Sequence, residues 1–146
     1  LLEVHRTHGL PLVLPLHPRT RKCMDQHLSP ALRSALYGTP GIHILPPAGF
    51  LDMIALEEAA RLVLTDSGGV QKEAYFFGKP CVILRPETEW VELVHHGQAV
   101  LADADPEHIN RAAADFLRKG APDHPRIFGE GRAAEHICGV LLEDLS

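Results

Sequence analysis

The sequence predicts an α/β fold: a parallel sheet with helices on both faces. Five short β-prone runs, residues 11–16, 42–45, 62–65, 81–84 and 99–102, recur along the 146 residues, each of strand length and rich in Val, Ile and Leu. Helix-compatible segments separate them. Strands that alternate with helices in this way are joined by right-handed crossovers, which makes neighbouring strands parallel and covers both faces of the sheet.

The elements follow in order. Leu1-Leu2-Glu3-Val4-His5-Arg6 reads as the end of a helix, closed by Gly9 before Pro11. The chain begins with Leu and not Met, so a piece of a longer protein is expected. After the first strand, residues 19–36 form a helical segment broken at Ser29-Pro30, where Ser29 ends one piece and Pro30 opens the next. Residues 50–60 form another, with Leu51, Ile54, Ala55 and Glu58 spaced to give one apolar side. Residues 69–77 are helical, and a short helix at 89–95 stops at Gly97. In 106–119, Pro106 occupies the first turn, Asp105 is the cap, and Ile109, Ala113, Phe116 and Leu117 form the buried stripe. A Pro- and Gly-rich loop at 120–131 carries a final helix, 131–145, to another surface. With no internal repeat, low-complexity tract or linker, residues 1–146 read as one domain.

Composition narrows the function classes. A content of 45% hydrophobic and 23% charged residues supports one domain with a real core. A net charge of -5 and a pI near 6.0 exclude a nucleic-acid partner held by its backbone, since phosphate neutralisation needs clustered Lys and Arg. Residues 19–22 are too local to change that. The three cysteines, Cys23, Cys81 and Cys138, form no Cys-x-x-Cys pair. Cys81 lies in an apolar strand and Cys138 on a helix face, so buried thiols in a reducing compartment are expected. His5 with His8, and His95 with His96, lack a third ligand at workable spacing, so no metal site is expected. No apolar run approaches the length of a membrane span, and no membrane partner is expected.

The chemistry concentrates at Thr65-Asp66-Ser67-Gly68-Gly69-Val70-Gln71-Lys72-Glu73. A strand, a Ser-Gly-Gly turn and a helix start make an anion site, because free N–H groups and the helix dipole point beyond the turn. Glu73 falls about one helical turn later, where a carboxylate accepts from sugar hydroxyls while the turn holds a phosphate. The competing reading gives Gly to the tight turn and Ser or Asp to helix capping alone. Ligands of open α/β sheets bind beyond the carboxyl ends of the strands. His17, the loop 47–50, the turn 67–69 and the loop 85–90 all follow strands, so they should gather on one edge.

These residues carry a resemblance. Residues 64–74 with Gly78-Lys79-Pro80, Leu84-Arg85 and Thr88-Glu89-Trp90-Val91-Glu92 resemble the signature of the non-hydrolysing UDP-N-acetylglucosamine 2-epimerases. Pro15-Leu16-His17-Pro18-Arg19-Thr20, Leu45-Pro46-Pro47, Phe50-Leu51-Asp52 and Phe128-Gly129-Glu130-Gly131-Arg132-Ala133 fit too, in family order over nearly the whole chain. The resemblance implies two Rossmann-like domains facing each other across the active-site cleft, the GT-B arrangement. This chain is similar to the C-terminal, nucleotide-holding half. It is expected to begin after that domain's first strand, without the N-terminal domain, toward which the final helix packs.

Carried over by position, the resemblance implies that His17 reaches the diphosphate and stabilises it as leaving group. Ser67, Gly68 and Gly69 receive the diphosphate, and Glu73 takes the ribose hydroxyls. The segment holding Ala48, Phe50 and Met53 flanks the uracil, and Arg85 and Trp90 complete the UDP-binding set. Met53 replaces a frequent Phe and softens base stacking, and Pro86 replaces a frequent Asp; Trp90 stands where another branch has Arg, in the Thr-Glu-Trp form that many members share. Structural readings stand beside these roles: a strand-end histidine for His17, a solvated helix residue for Glu73, an ion pair of Arg85 with Glu89 or Glu92, and a packing anchor for Trp90.

The reaction so implied needs no cofactor. UDP leaves C1 by anti elimination to give 2-acetamidoglucal, then adds back with C2 inverted, interconverting UDP-GlcNAc and UDP-ManNAc. In the family the carboxylates that move the C2 proton come from the N-terminal domain, so the isolated chain is expected to be at most a UDP-binding half. The parent is expected to be a cytoplasmic homodimer serving cell-envelope polysaccharide biosynthesis, with a UDP-sugar as partner. Relatives acting on UDP-linked diacetamido uronic acids leave the sugar open. A GT-B glycosyltransferase domain and a non-catalytic UDP-binding module are the alternatives.

Overall fold

The computed structural model describes residues 1–120, 123 and 125–144. The first helix, α1 (Leu2–His8), ends at Gly9, whose φ of 64° is the left-handed cap conformation glycine adopts without cost. Strand β1 (Leu12–Pro15) leads into α2 (Pro18–His27) and α3 (Pro30–Gly38). The break between the helices falls where Ser29 turns extended; its hydroxyl accepts from the Leu32 N–H at 3.2 Å, and Pro30 opens the next helix.

There follow β2 (Ile42–Leu45), α4 (Phe50–Ala59), β3 (Val63–Thr65), α5 (Gly68–Phe76) and β4 (Cys81–Ile83). Next come α6 (Val91–His95), β5 (Ala99–Leu101), α7 (Pro106–Lys119) and α8 (Ala133–Asp144). All five expected strands form, trimmed at some ends. The α7 cap is also as expected, with Asp105 Oδ1 accepting from the Glu107 and His108 N–H groups at 2.9 and 3.2 Å. The final helix begins at Ala133, two residues after its expected start, and the expected end at Leu145 lies outside the described residues.

Every strand pairing is parallel, and the hydrogen bonds divide the strands into two sets, β1–β2 and β3–β4–β5. Strand β4, central in its set, is buried on both faces. Its alternation assigns the helices. Val82 joins Val4 of α1 and Ile109, Ala112, Ala113 and Phe116 of α7 on one face. Cys81 and Ile83 join Ala74 and Tyr75 of α5 and Leu93 of α6 on the other. The Rossmann-like layering of helix, sheet and helix is therefore built around β4.

Two expectations are corrected. On α4 most of the predicted apolar side faces out: Leu51 is 77% exposed, and Ala55 and Glu58 are exposed as well, while Ile54 is half-buried. The buried member is Glu57, at 4% exposure, because α4 packs against α5 on the side that also carries Met53 and Ile54. Cys138 is exposed and not buried. It sits on α8, where Ile137, Val140, Leu141 and Leu142 are also exposed. Among the described residues, no helix is long and apolar enough to cross a membrane.

Candidate functional site

Parallel register fixes where the site lies. Pro15 stands beside Leu45, and Thr65 beside Ile83 beside Leu101, so within each set the strands finish together. His17 and the 47–50 loop thus leave one set at its carboxyl edge, and the 67–69 turn and the 85–90 loop leave the other. The packing of α4 against α5 connects the two.

At the first edge His17 is the extended N-cap of α2, exposed, with Nδ1 accepting from the Arg19 N–H at 3.3 Å. A ring that accepts at Nδ1 carries its proton on Nε2, which leaves a donor free for an anion. Ala48 and Met53 are half-buried, while Phe50, the first residue of α4, is 71% exposed and open to a planar ligand.

At the second edge the Ser67 N–H donates to the Thr65 hydroxyl at 3.0 Å, folding the chain tightly off the end of β3. The first helical bond of α5 runs from the Gln71 N–H to the Ser67 carbonyl. The amides of Gly68, Gly69 and Val70 therefore precede the helical ladder, and the Ser67 hydroxyl makes no cap bond. A Cβ on Gly68 would come within 3.2 Å of Glu89 Oε2 and 3.7 Å of Trp90 Nε1. At Gly68 a larger side chain would have to displace the Glu89 carboxylate of the 85–90 loop.

That loop is a clasp. The Trp90 indole N–H donates to the Gly68 carbonyl at 2.8 Å, and the Trp90 ring meets Phe128 edge-on at 5.7 Å. The Lys72 ammonium lies 4.2 Å from the Trp90 ring centre and 4.5 Å from that of Phe128, a paired cation–π contact. Thr88 donates to wholly buried Gln71 at 2.6 Å and accepts from the Trp90 N–H at 3.0 Å. Trp90 is thus a packing anchor. Arg85 forms a forked pair with Glu89, Nη1 at 3.1 and 3.2 Å from its two oxygens and Nη2 at 3.1 Å from one. The Glu89 backbone N–H, then Arg85, hold the Glu89 carboxyl below the usual carboxylate range.

Glu73 is half-buried on α5, one turn beyond the glycines. The carboxyl of Glu57 on α4 lies against it. Burial first, then the charge of Glu73 and a hydrogen bond to it, push the Glu57 carboxyl up to about 7.

With this geometry in hand, the relatives decide the family. The family model described as UDP-N-acetylglucosamine 2-epimerase matches residues 1–142. The chain belongs to the UDP-N-acetylglucosamine 2-epimerase family. It is 46% identical over 133 residues to the UDP-2,3-diacetamido-2,3-dideoxy-D-glucuronate 2-epimerase of Pseudomonas aeruginosa, covering 91% of this chain and 35% of that one. It is 33% identical over 141 residues to the UDP-N-acetylglucosamine 2-epimerase of Methanocaldococcus jannaschii, covering 97% and 37%. A solved structure of the Methanocaldococcus jannaschii UDP-GlcNAc 2-epimerase superposes with a TM-score of 0.84 at 33% identity, over 97% of this chain and 38% of that one. Its complex with UDP-GlcNAc and UDP gives 0.81 at 34% identity, with the same coverage. The chain spans little more than a third of the length of these relatives.

In this epimerase domain Gln71, Lys72 and Thr88 lie within the sequence motifs, but their contacts were not assigned from the sequence, and Glu57, which lies outside those motifs, was not singled out. Glu57 shares the helical phase of Phe50 and Met53, and that phase was the signal that could have found it.

Proposed function

We propose that this chain is the UDP-binding half of a UDP-N-acetylglucosamine 2-epimerase. The observation that carries the reading is the opening of α5, where Ser67, Gly68 and Gly69 start a helix at a strand's carboxyl edge and Glu73 follows one turn later. In the reaction UDP leaves C1 as the C2 proton is removed, and it then readds to C1 while a proton is delivered to the opposite face of C2. The protein has to stabilise negative charge on the departing diphosphate. The amides at the head of α5, the Ser67 hydroxyl and the Nε2 proton of His17 are donors of the required kind. Glu73 accepts from the ribose hydroxyls, while Ala48, Phe50 and Met53 flank the uracil. Arg85 reaches the ligand only by leaving Glu89, and Trp90 acts by holding Gly68 in place.

The residues that move the proton belong to the remainder of the full-length protein, which we propose supplies a facing domain. Two features support that division. Helix α8 carries an uncovered apolar face at Ile137, Val140 and Leu141, suited to packing on a facing domain. Among the described residues β1 pairs only with β2 and β3 only with β4, as expected if a further strand of the full-length protein completes the sheet. We place the full-length protein in the cytoplasm as a homodimer, in a reducing compartment that suits three free cysteines.

The sugar has two readings. UDP-GlcNAc is the first, and the 46% identity to the Pseudomonas aeruginosa enzyme favours a UDP-linked diacetamido uronic acid as the second. Assaying the full-length protein with each substrate, with residues 1–146 alone as control, tests both. Epimerisation of one substrate by the full-length protein only is expected. Turnover by residues 1–146 alone would overturn the division of labour, and no turnover of either substrate would overturn the activity.

A further inference from the structure

The side chain that the proposed mechanism leaves idle is Glu57. It is 4% exposed, and its two oxygens find no backbone N–H, hydroxyl or cation. A buried carboxylate without donors is among the costliest groups a fold can hold. The group against it is another carboxyl, Glu73, from the neighbouring helix. Two ionised carboxylates have no donor to place between them. One proton supplies it.

We infer that Glu57 is a positioning residue for Glu73, sharing one proton with it, so that a nucleoside diphosphate binds with this proton in place and the grip on its ribose weakens when the proton leaves. The inference rests on the UDP-binding reading above. Its logic is geometric: Glu73 must keep ionised oxygens toward the ribose hydroxyls, which donate to it, and must be held from behind. A protonated Glu57 does both, donating to one Glu73 oxygen and adding no second charge. Ionised, it would repel Glu73 from inside the protein at the moment an anionic diphosphate arrives on the other side.

The elevated Glu57 carboxyl, at about 7, puts this exchange near neutral pH. Among the described residues, the titratable groups facing it are Glu73 from α5 and the Cys81 thiol from β4. Burial, then the charge of Glu57, push Cys81 up to about 12, so it stays neutral throughout. Cys81 therefore adds no charge beside Glu57.

The experiment is calorimetric titration of the full-length protein with UDP and with 2′,3′-dideoxy-UDP between pH 6 and 8.5, for wild type and Glu57→Gln. Glutamine keeps a donor toward Glu73 and cannot ionise. The nucleotide's own phosphate ionisation is common to both proteins, so their difference isolates the carboxyl pair. Relative to Glu57→Gln, wild-type affinity for UDP is expected to fall by up to about thirtyfold at pH 8.5, the limit set by proton linkage 1.5 pH units above the pKa. With the dideoxy nucleotide this difference should vanish. If the variant does not fold, proton uptake by wild type, measured in buffers of different ionisation enthalpy, replaces it. More protons should then be taken up with UDP than with the dideoxy nucleotide. UDP binding with equal pH profiles in the two proteins, or equal uptake with both nucleotides, would overturn the inference and leave the UDP site standing. Absence of UDP binding at every pH would overturn the reading on which it rests.

Discussion

Replacing Glu57 by Gln should stabilise the protein at alkaline pH and leave it nearly unchanged in acid. The magnitude follows from linkage. The Glu57 carboxyl rises from 4.5 to about 7 in the folded chain, so between these values the native state holds a proton that the unfolded chain has released. Where the native state binds more protons, stability falls as pH rises. Glu57 therefore contributes least above pH 7, once its burial must be borne as a charge. At 1.36 kcal/mol per unit, the difference between acid and alkaline limits is on the order of 3 kcal/mol. Thermal or urea unfolding of wild type and Glu57→Gln at half-unit steps from pH 4 to 8.5 reads this directly. The two curves should coincide near pH 4, diverge through pH 5 to 7 with the variant higher, and run parallel above. Curves parallel over the whole range would refute the reasoning, since Glu57 would then be ionised or neutral alike in both states.

Two further outcomes follow from the packing. Tyr75, 3% exposed, donates to the Pro125 carbonyl at 2.6 Å and accepts from the Ile127 N–H at 2.9 Å, tying α5 to the segment that carries Phe128. Tyr75→Phe keeps the edge contacts with Phe76 and Phe128 and removes both bonds, so a loss of about 1–2 kcal/mol and faster hydrogen exchange at Ile127 are expected; unchanged exchange would refute the tie. The Cys81 thiol, buried and held at about 12, should resist iodoacetamide at pH 8 in the native protein while exposed Cys23 is alkylated. Peptide mass mapping would show it, and labelling of Cys81 before Cys23 would refute the burial.

How legible the fold was depended on what each element packs against. Residues 106–119 were readable because their stripe, Ile109, Ala113 and Phe116, faces one flat sheet surface and their ends carry Asp105 and Gly120. Residues 50–59 were misread because α4 packs only part of its circumference on α5, so Leu51 and Ala55 stay outside while Glu57 goes in. Propensity favours Leu for burial over Glu, and tertiary contact overrode it. The Ser67-Gly68-Gly69 turn was legible because an apolar strand run followed by small residues and a helix-compatible segment marks a helix start at a strand's carboxyl end. Arg85 was legible as the ion-pair partner of Glu89 or Glu92, and the structure chooses Glu89; the Lys72 cation–π contacts were not legible, since they depend on which of several long side chains wins a shared position. Cys138 was placed inside by its helical phase, and phase says nothing about whether another element lies opposite.

Helix α4 ties these observations together. Phe50, Met53 and Glu57 follow one another along a single face at spacings of three and four residues, and burial increases along that face, from 71% exposure at Phe50 through half-buried Met53 to 4% at Glu57. The open end is suited to a base and the closed end meets Glu73. On α5 the order is parallel in effect, with the anion-directed glycines at the open end and Glu73 one turn inward. A nucleotide has its base and its diphosphate on opposite sides of the ribose, so two helix starts side by side can hold the ends while their inner turns share the middle. Displacing α4 would move the base contact and the support of Glu73 together. In the proposed UDP site, the Glu57–Glu73 contact is therefore the point through which the proposed base side and diphosphate side would be kept in register.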